Sequence, residues 1–373
     1  MTENVPINVD LQERERTLDW LTALSPILLI AICYYRWQAV GLVLTATAGY
    51  LAVTALLQWA GVTSCRTAPA LVTGMLVAFC LPSTSPLWTA ALGGGVAAAV
   101  ATLPVLLYGW HPTWVISRPL LQPALVGYLV VRLLFPACVS AFHLPKQWDV
   151  VDGVAGATPL AALGDPSAVE SPLRLLFGVH AGAVGEGCVP VILLAALYLL
   201  LRRRLRLIAP AVMLATVSLL SLLIWDMPLY GVLVGGTVLG ALLLADRAFA
   251  PAAYGPQAVS GLLAGVIVAL SRLYWGMDGT AVAVLVAGAL SPVYAPALHW
   301  SGVGVRWFWK HFKRFCVWFW HRALVPFARL VARGAVWFWH HALVPFARLV
   351  WRGIRRLWAL LRTKCAKMIK TKK

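Results

Sequence analysis

The sequence predicts an all-α polytopic membrane protein of about ten transmembrane helices, on three observations. Of 373 residues 61% are apolar and only 12% are charged, whereas about one quarter of a soluble chain is charged. Mean hydropathy is +0.81. The apolar residues also fall into separate runs, and a hydrocarbon core of roughly 30 Å needs about 20 of them per helix.

In chain order the candidate spans are 20–36, 38–60, 67–82, 87–108, 120–142, 184–201, 207–225, 228–245, 257–274 and 279–298. The third and sixth are short or interrupted by Gly and Pro, as helices are where a membrane protein builds an internal site. Division into a first half, 20–142, and a second half, 184–302, puts five spans in each. Five spans end on the side opposite to their start, so the halves are expected to be inverted repeats. Gly74-Met75-Leu76-Val77-Ala78-Phe79-Cys80-Leu81 faintly parallels Gly240-Ala241-Leu242-Leu243-Leu244-Ala245. The plainer explanation is that Gly-, Ala- and Leu-rich helices resemble one another.

The formal charge of +18 suggests nucleic acid until it is located. Residues 303–373 hold 17 of the 31 Lys and Arg and no Asp or Glu, leaving 14 basic against 13 acidic groups elsewhere. Basic short loops stay cytoplasmic. Arg202, Arg203, Arg204 and Arg206 and the basic tail share a side if the number of spans is even, together with Arg66, Arg118 and Arg247. Both termini are then cytoplasmic, with residues 1–19 forming a cytoplasmic segment. The 143–183 region, carrying Asp149, Asp152, Asp165 and Glu170 against Lys146, is extracytoplasmic. Glu13, Arg14, Glu15 and Arg16 precede the first apolar run, which argues against a cleaved signal peptide. Seven scattered cysteines contain no Cys-x-x-Cys pair, so neither a metal site nor a disulfide framework can be read from them.

The longest polar interruption contains Asp152-Gly153-Val154-Ala155-Gly156-Ala157-Thr158-Pro159. Gly153 and Gly156 permit backbone conformations that bulkier residues resist, and Pro159 pushes Thr158 toward extended geometry. A hydroxyl so flanked can be presented to another enzyme's active site. A small-residue turn bearing a Thr is equally a plain turn, and the residues alone leave both readings open.

This stretch resembles the Asp-x-x-Ser/Thr-Gly-Ala-Thr pattern on which flavin transferases esterify FMN through its phosphate to the Thr hydroxyl. Other segments are similar, in order, to the same family, the D subunit of the Rnf electron-transport complex and the B subunit of the sodium-pumping NADH:quinone oxidoreductase. They are Ala70 to Met75 continuing to Leu81-Pro82, Gln122-Pro123-Ala124 to Tyr128, Gly182-Ala183-Val184-Gly185-Glu186, Pro228-Leu229-Tyr230 to Asp246, and Ser271-Arg272 with Asp278-Gly279. The resemblance covers about residues 15–298. It implies covalent FMN on Thr158, with Asp152, Gly156 and Ala157 completing the motif, and leaves open a second, non-covalent flavin between the halves. It further implies electron relay coupled to Na⁺ or H⁺ movement in a bacterial inner membrane, Rnf-type partners A, B, C, E and G, and a flavin transferase for maturation. Ala155 stands where the pattern has Ser or Thr, Gln122 where it has Asn, and Gly187-Cys188 where it has Thr-Ser. A diverged channel, permease or scaffold that keeps the helices without the flavin is the competing expectation.

Ion movement needs polar groups in the membrane, where an ionisable side chain is costly and so is usually functional or paired. Arg132 and Glu186 are the candidates for an ion or redox path. Asp226, Asp246, Arg272 and Asp278 sit near predicted helix ends and are expected to snorkel or cap at the interface. His180 could donate to a ligand, although a lone His is more often structural.

The tail carries a duplication. Val317 to Gly334 recurs as Val336 to Gly353, with only Arg322 changed to His341 and Ala332 to Trp351. Arg322, Arg329 and Arg333 share one helical face and aromatic residues dominate elsewhere, a pattern that lies in the interface of anionic lipid. Anionic lipid, rather than nucleic acid, is therefore the expected partner of the tail.

Overall fold

A computed structural model describes residues 7–61, 67, 69–110, 121–145, 159–163 and 171–294, with side chains from Glu13 onward and excluding those of 103–110. Asp152, Ala155, Gly156, Ala157, Thr158, Arg66, Arg118 and the duplicated tail lie outside the described residues.

The described chain is helical throughout, with two isolated bridges as its only extended pairing. In order the helices are α1 (Ile7–Tyr35), α2 (Trp37–Trp59), α3 (Ala70–Cys80), α4 (Leu87–Trp110), α5 (Pro123–Leu134), α6 (Pro172–Phe177), α7 (Val189–Leu201), α8 (Ile208–Trp225), α9 (Pro228–Leu233), α10 (Thr237–Ala245), α11 (Tyr254–Trp275) and α12 (Thr280–Ala289). Two 3₁₀ turns are present among the described residues, Pro136–Cys138 after α5 and Pro159–Ala162, which follows Thr158 in sequence.

Where side chains are described, four of these helices, α1, α2, α8 and α11, are both long and apolar enough to cross a membrane, and α4 is apolar over Leu87–Thr102. Two of them carry their own ruler. Exposed Trp37 and Trp59 bracket α2, and exposed Tyr254 and Trp275 bracket α11. At 1.5 Å per residue these aromatic pairs are about 33 and 32 Å apart, matching a hydrocarbon core of roughly 30 Å with aromatics at both interfaces. Leu44, Leu219, Leu223 and Leu262 are exposed between the belts. In lipid such a surface carries no penalty, whereas in water it would.

The third and sixth expected spans are short, as their Gly and Pro suggest, and several others hold shorter helices than the apolar runs suggest. The segments expected at 67–82, 120–142, 184–201 and 279–298 contain helices of only 11, 12, 13 and 10 residues. The segment expected as one span at 228–245 is two helices, α9 and α10, separated at Val234–Gly236. Backbone chemistry explains the breaks. Pro82 follows α3, Pro123 opens α5 and Pro136 follows it, and each Pro lacks the N–H needed to continue a helix. Gly235, at φ +65°, adopts a left-handed conformation that side chains resist. At its other end the protein is more helical than expected, since α1 starts at Ile7 and takes up most of the polar N-terminal segment.

Small residues set the packing. A Cβ on Gly94 would collide with the Ala46 carbonyl oxygen, and one on Gly49 with that of Ala91, so α2 and α4 touch backbone to backbone. Gly41 meets Leu87 and Gly95 meets Val53, so the two helices run in the same direction. Helices α8 and α11 are likewise codirectional, with Gly261 against Ala209 and Gly265 against Met213 and Thr216. Between lipid-solvated helices such contact replaces hydrophobic burial as the source of association. Two short helices are the most enclosed. All nine residues of α10 are buried, as are nine of the eleven in α3.

One end is closed by charge. Arg202 and Arg204 both donate to Asp19, at 2.8 and 2.6 Å, and Arg16 donates to buried Asp246 at 2.7 Å. Asp246 therefore neither snorkels nor stands alone; it accepts from Arg16 and caps Ala248 N. The Arg202–Arg206 loop, Arg247 and the start of α1 thus lie at one end, as their shared basic character suggested.

The glycine contact gives a direct test. Gly94→Val is expected to cost about 3 kcal/mol, at the upper end for overpacking, and to lower the thermal midpoint in detergent. Leu44→Val, on the lipid face, should leave that midpoint nearly unchanged.

Candidate functional site

Short helices leave their ends inside the protein, and those ends converge on one cleft. Its lining comes from Cys80 at the end of α3, Leu125 and Tyr128 of α5, Glu186, Gly236 and Gly240 at the start of α10, and Asp278 and Thr280 at the start of α12. Its free volume, about 30 Å³, holds one or two water molecules.

Arg272 organises the site. Placed in the last turn of α11, its side chain is 0% exposed. It donates from Nη1 to the Gly231 carbonyl, and from Nη2 to the Val234 carbonyl at 2.8 Å, the Thr237 hydroxyl at 2.6 Å and Asp278 Oδ1 at 3.1 Å. Gly231 and Val234 belong to the C-terminal end of α9, where carbonyls lack helical partners and the dipole favours a cation. Asp278 has the complementary task. Its Oδ2 accepts from Gly236 N at 3.1 Å, ahead of α10, and its Oδ1 accepts from the Thr280 hydroxyl at 2.7 Å, at the start of α12. The guanidinium satisfies the end of α9, and the carboxylate takes the Gly236 N–H ahead of α10 together with the Thr280 hydroxyl. Arg272 therefore turns inward to protein oxygens instead of snorkelling to the surface as expected, and Asp278 pairs with it while accepting from Gly236 N. The signal that could have located them was the Gly235-Gly236 pair, which marks a broken helix needing internal partners.

Glu186 lines the same cleft on a non-helical segment before α7. Its Oε2 accepts from Ala183 N at 3.2 Å, and Oε1 would stand 2.8 Å from a Cβ on Gly236. Two interlocks hold this segment in place. Val184 and Gly185 donate to the Leu81 and Phe79 carbonyls, and Ala183 bridges Pro82. At Gly178, φ is +69° and a Cβ would fall onto the Gly187 carbonyl oxygen, so only Gly is accommodated.

Arg132 reaches the cleft indirectly, donating at 2.6 Å to the hydroxyl of Tyr128, which lines it. The structure therefore brings Glu186 and Arg132 into one neighbourhood. His180 is buried beside the Ala181 carbonyl, its Nδ1 at 3.2 Å. Asp226 is a left-handed residue closing α8 and not part of the cleft. Among the described residues no group of three His, Cys, Asp or Glu could hold a metal ion.

The site extends toward the polar loop through α9. Tyr230 donates its hydroxyl to the Pro159 carbonyl at 2.8 Å, and Leu160 and Leu163 pack against Leu175, Tyr230 and Val234. The next residue on α9, Gly231, receives Arg272. Thus the turn immediately after Thr158 and the cleft are fastened to consecutive residues.

Residues 6–297 match the model of the NQR2, RnfD, RnfE family. Among curated proteins, the chain is 28% identical over 231 residues to the D subunit of the Na(+)-translocating ferredoxin:NAD(+) oxidoreductase complex of Acetobacterium woodii, covering 60% of this chain and 69% of that protein. It is 30% identical over 250 residues to the D subunit of the ion-translocating oxidoreductase complex of Ectopseudomonas mendocina, covering 60% and 71%. A longer match, 29% over 326 residues, covers 75% of this chain and 87% of the corresponding protein of Halorhodospira halophila.

Removing Asp278 should show how the site is held. Asp278→Ala leaves the Arg272 guanidinium buried without a countercharge, a loss expected to cost about 3–5 kcal/mol and to appear as a lower thermal midpoint. Glu186→Gln keeps an acceptor for Ala183 N and breaks no ion pair, so its effect should stay within about 1 kcal/mol.

Proposed function

Because the chain belongs to the NQR2, RnfD, RnfE family, we propose that it is the D-type membrane subunit of an Rnf-type ion-translocating ferredoxin:NAD oxidoreductase. In this reading FMN is esterified through its phosphate to Thr158, outside the cytoplasmic membrane, and electrons pass through it coupled to Na⁺ or H⁺ movement. The partners are the other Rnf-type subunits, A, B, C, E and G, and a flavin transferase that loads the Thr. Both termini are cytoplasmic, on the side of the Arg202–Arg206 loop.

The observation that carries this reading is the ordered match over residues 6–297 together with the anchored turn beside Thr158. The turn that follows Thr158 in sequence is fixed by the Tyr230 hydroxyl and by the packing of Leu160 and Leu163, which supports this reading. When bound, the isoalloxazine supplies electron transfer while the protein supplies position and electrostatics. Glu186 and Arg132 are the groups proposed to serve the ion or redox path.

An inverted arrangement of the two halves belongs to the same proposal. The pairings α2 with α4 and α8 with α11 are each codirectional, and the two enclosed helices, α3 and α10, occupy matching places in chain order. Repeats of this kind place binding sites at their interface, among broken helices.

One residue favours a second reading. Ala155 stands where the attachment motif has Ser or Thr, which suits a scaffold subunit that has lost its flavin. Fluorescence separates the two. Wild type made with a flavin transferase should give an ultraviolet-excited flavin band after denaturing electrophoresis, and Thr158→Ala should abolish it. A dark wild-type band would remove the flavin reading and leave the scaffold.

The tail is proposed to bind anionic lipid. Seventeen basic residues with no acidic ones, interleaved with Trp and Phe, carry this reading. Replacing Arg322, Arg329, Arg333, Arg348, Arg352 and Arg356 by Gln is expected to weaken cosedimentation with phosphatidylglycerol vesicles by at least tenfold. Unchanged binding would leave the tail without this role.

A further inference from the structure

The gap between α9 and α10 has the composition of a cation site. Two carbonyls at a helix C-terminus, a hydroxyl and a carboxylate converge there, from Gly231, Val234, Thr237 and Asp278. Discontinuous membrane helices use such sets to coordinate monovalent cations. Here every one of these oxygens instead accepts from Arg272, which arrives from α11 and is wholly buried. The hydroxyl of Thr237 completes the circuit by donating to the Val234 carbonyl at 3.0 Å, so its lone pairs face the guanidinium.

We propose that Arg272 is a tethered cation that permanently fills this coordination gap, so that the break in α9 and α10 takes no free ion. The gap would otherwise bind a small planar or monovalent cation. The consequence for the cleft is a division of labour between its two carboxylates. Asp278 is committed to Arg272, to the Gly236 N–H ahead of α10 and to the Thr280 hydroxyl, whereas Glu186 has no ion pair among the described residues. An exchangeable cation or proton in this cleft is thereby directed to Glu186. Arg272 is a positioning residue in this account, since it holds helix ends and Asp278 and touches no transported species.

The Nε atom of Arg272 is buried without a partner among the described residues. A site shaped only to bury an arginine would be expected to satisfy that atom too. A site whose oxygens are arranged around a cation needs only the two terminal nitrogens.

Chemical rescue tests the proposal on the full chain in detergent. Arg272→Ala should lower the thermal midpoint, and low-millimolar guanidinium should restore roughly half or more of the loss by binding the folded state, while equal tetramethylammonium should not. Wild type should respond to neither, because guanidinium at this level is far below denaturing concentrations. Two further variants cover the case in which Arg272→Ala does not fold. Arg272→Lys retains the charge, and the double variant Arg272→Ala with Asp278→Asn removes both charges, so both should fold, the double variant without a guanidinium response. An unaltered midpoint in Arg272→Ala, equal effects of the two cations on it, or failure of all three variants to fold would overturn the proposal.

Discussion

The buried pair of Arg272 and Asp278 is the constraint on which the interior of this protein depends. In lipid no water is available to satisfy a helix end, so every interrupted helix needs partners from the protein itself. The pair supplies them on both sides of the break between α9 and α10. Arg272 takes the carbonyls at the end of α9, while Asp278 takes Gly236 N ahead of α10 and the Thr280 hydroxyl at the start of α12. Neither ion is stable there alone, because an uncompensated buried charge is strongly unfavourable. Together they allow α9 to end and α10 to begin inside the protein, at the break that borders the cleft.

Around that centre the structure uses two different adhesives. Within the membrane, Gly49, Gly94, Gly261 and Gly265 bring helix backbones into contact, and close packing replaces the hydrophobic effect. At the end bearing Arg16, ion pairs to Asp19 and Asp246 join the first helix to the loops after α7 and α10, far along the chain. The short helices enclosed by this frame carry the cleft, and α9 links it outward through Tyr230 to the turn beyond Thr158.

Much of this could be read from residues alone, and the failures have one origin. The helical class, the membrane setting and the shared side of the Arg202 loop and N-terminus follow from apolar runs and charge. The third and sixth segments were legible as interrupted because Gly and Pro lie within them. The eighth segment was not, although Gly235-Gly236 stands in its middle, because its hydropathy is continuous from Pro228 to Ala245. Hydropathy reports only how apolar a residue is. It cannot report whether a backbone carbonyl has found a partner, and that is what ends a helix in lipid. The same blindness had Arg272 snorkelling: near a helix end, a snorkelling arginine and a buried one have identical sequence surroundings.

The sequence by itself determined the family, the lipid-facing composition, the interruptions of the third and sixth segments, and the motif ending in Thr158, since each depends on local residue type and order. Tertiary structure alone decided which charges pair. Arg16 meets Asp246 and Arg202 meets Asp19 across most of the chain, and Arg272 meets carbonyls about 40 residues earlier rather than water. Such choices are set by which helix ends are left unsatisfied once the backbones have packed, a quantity that exists only in the assembled fold.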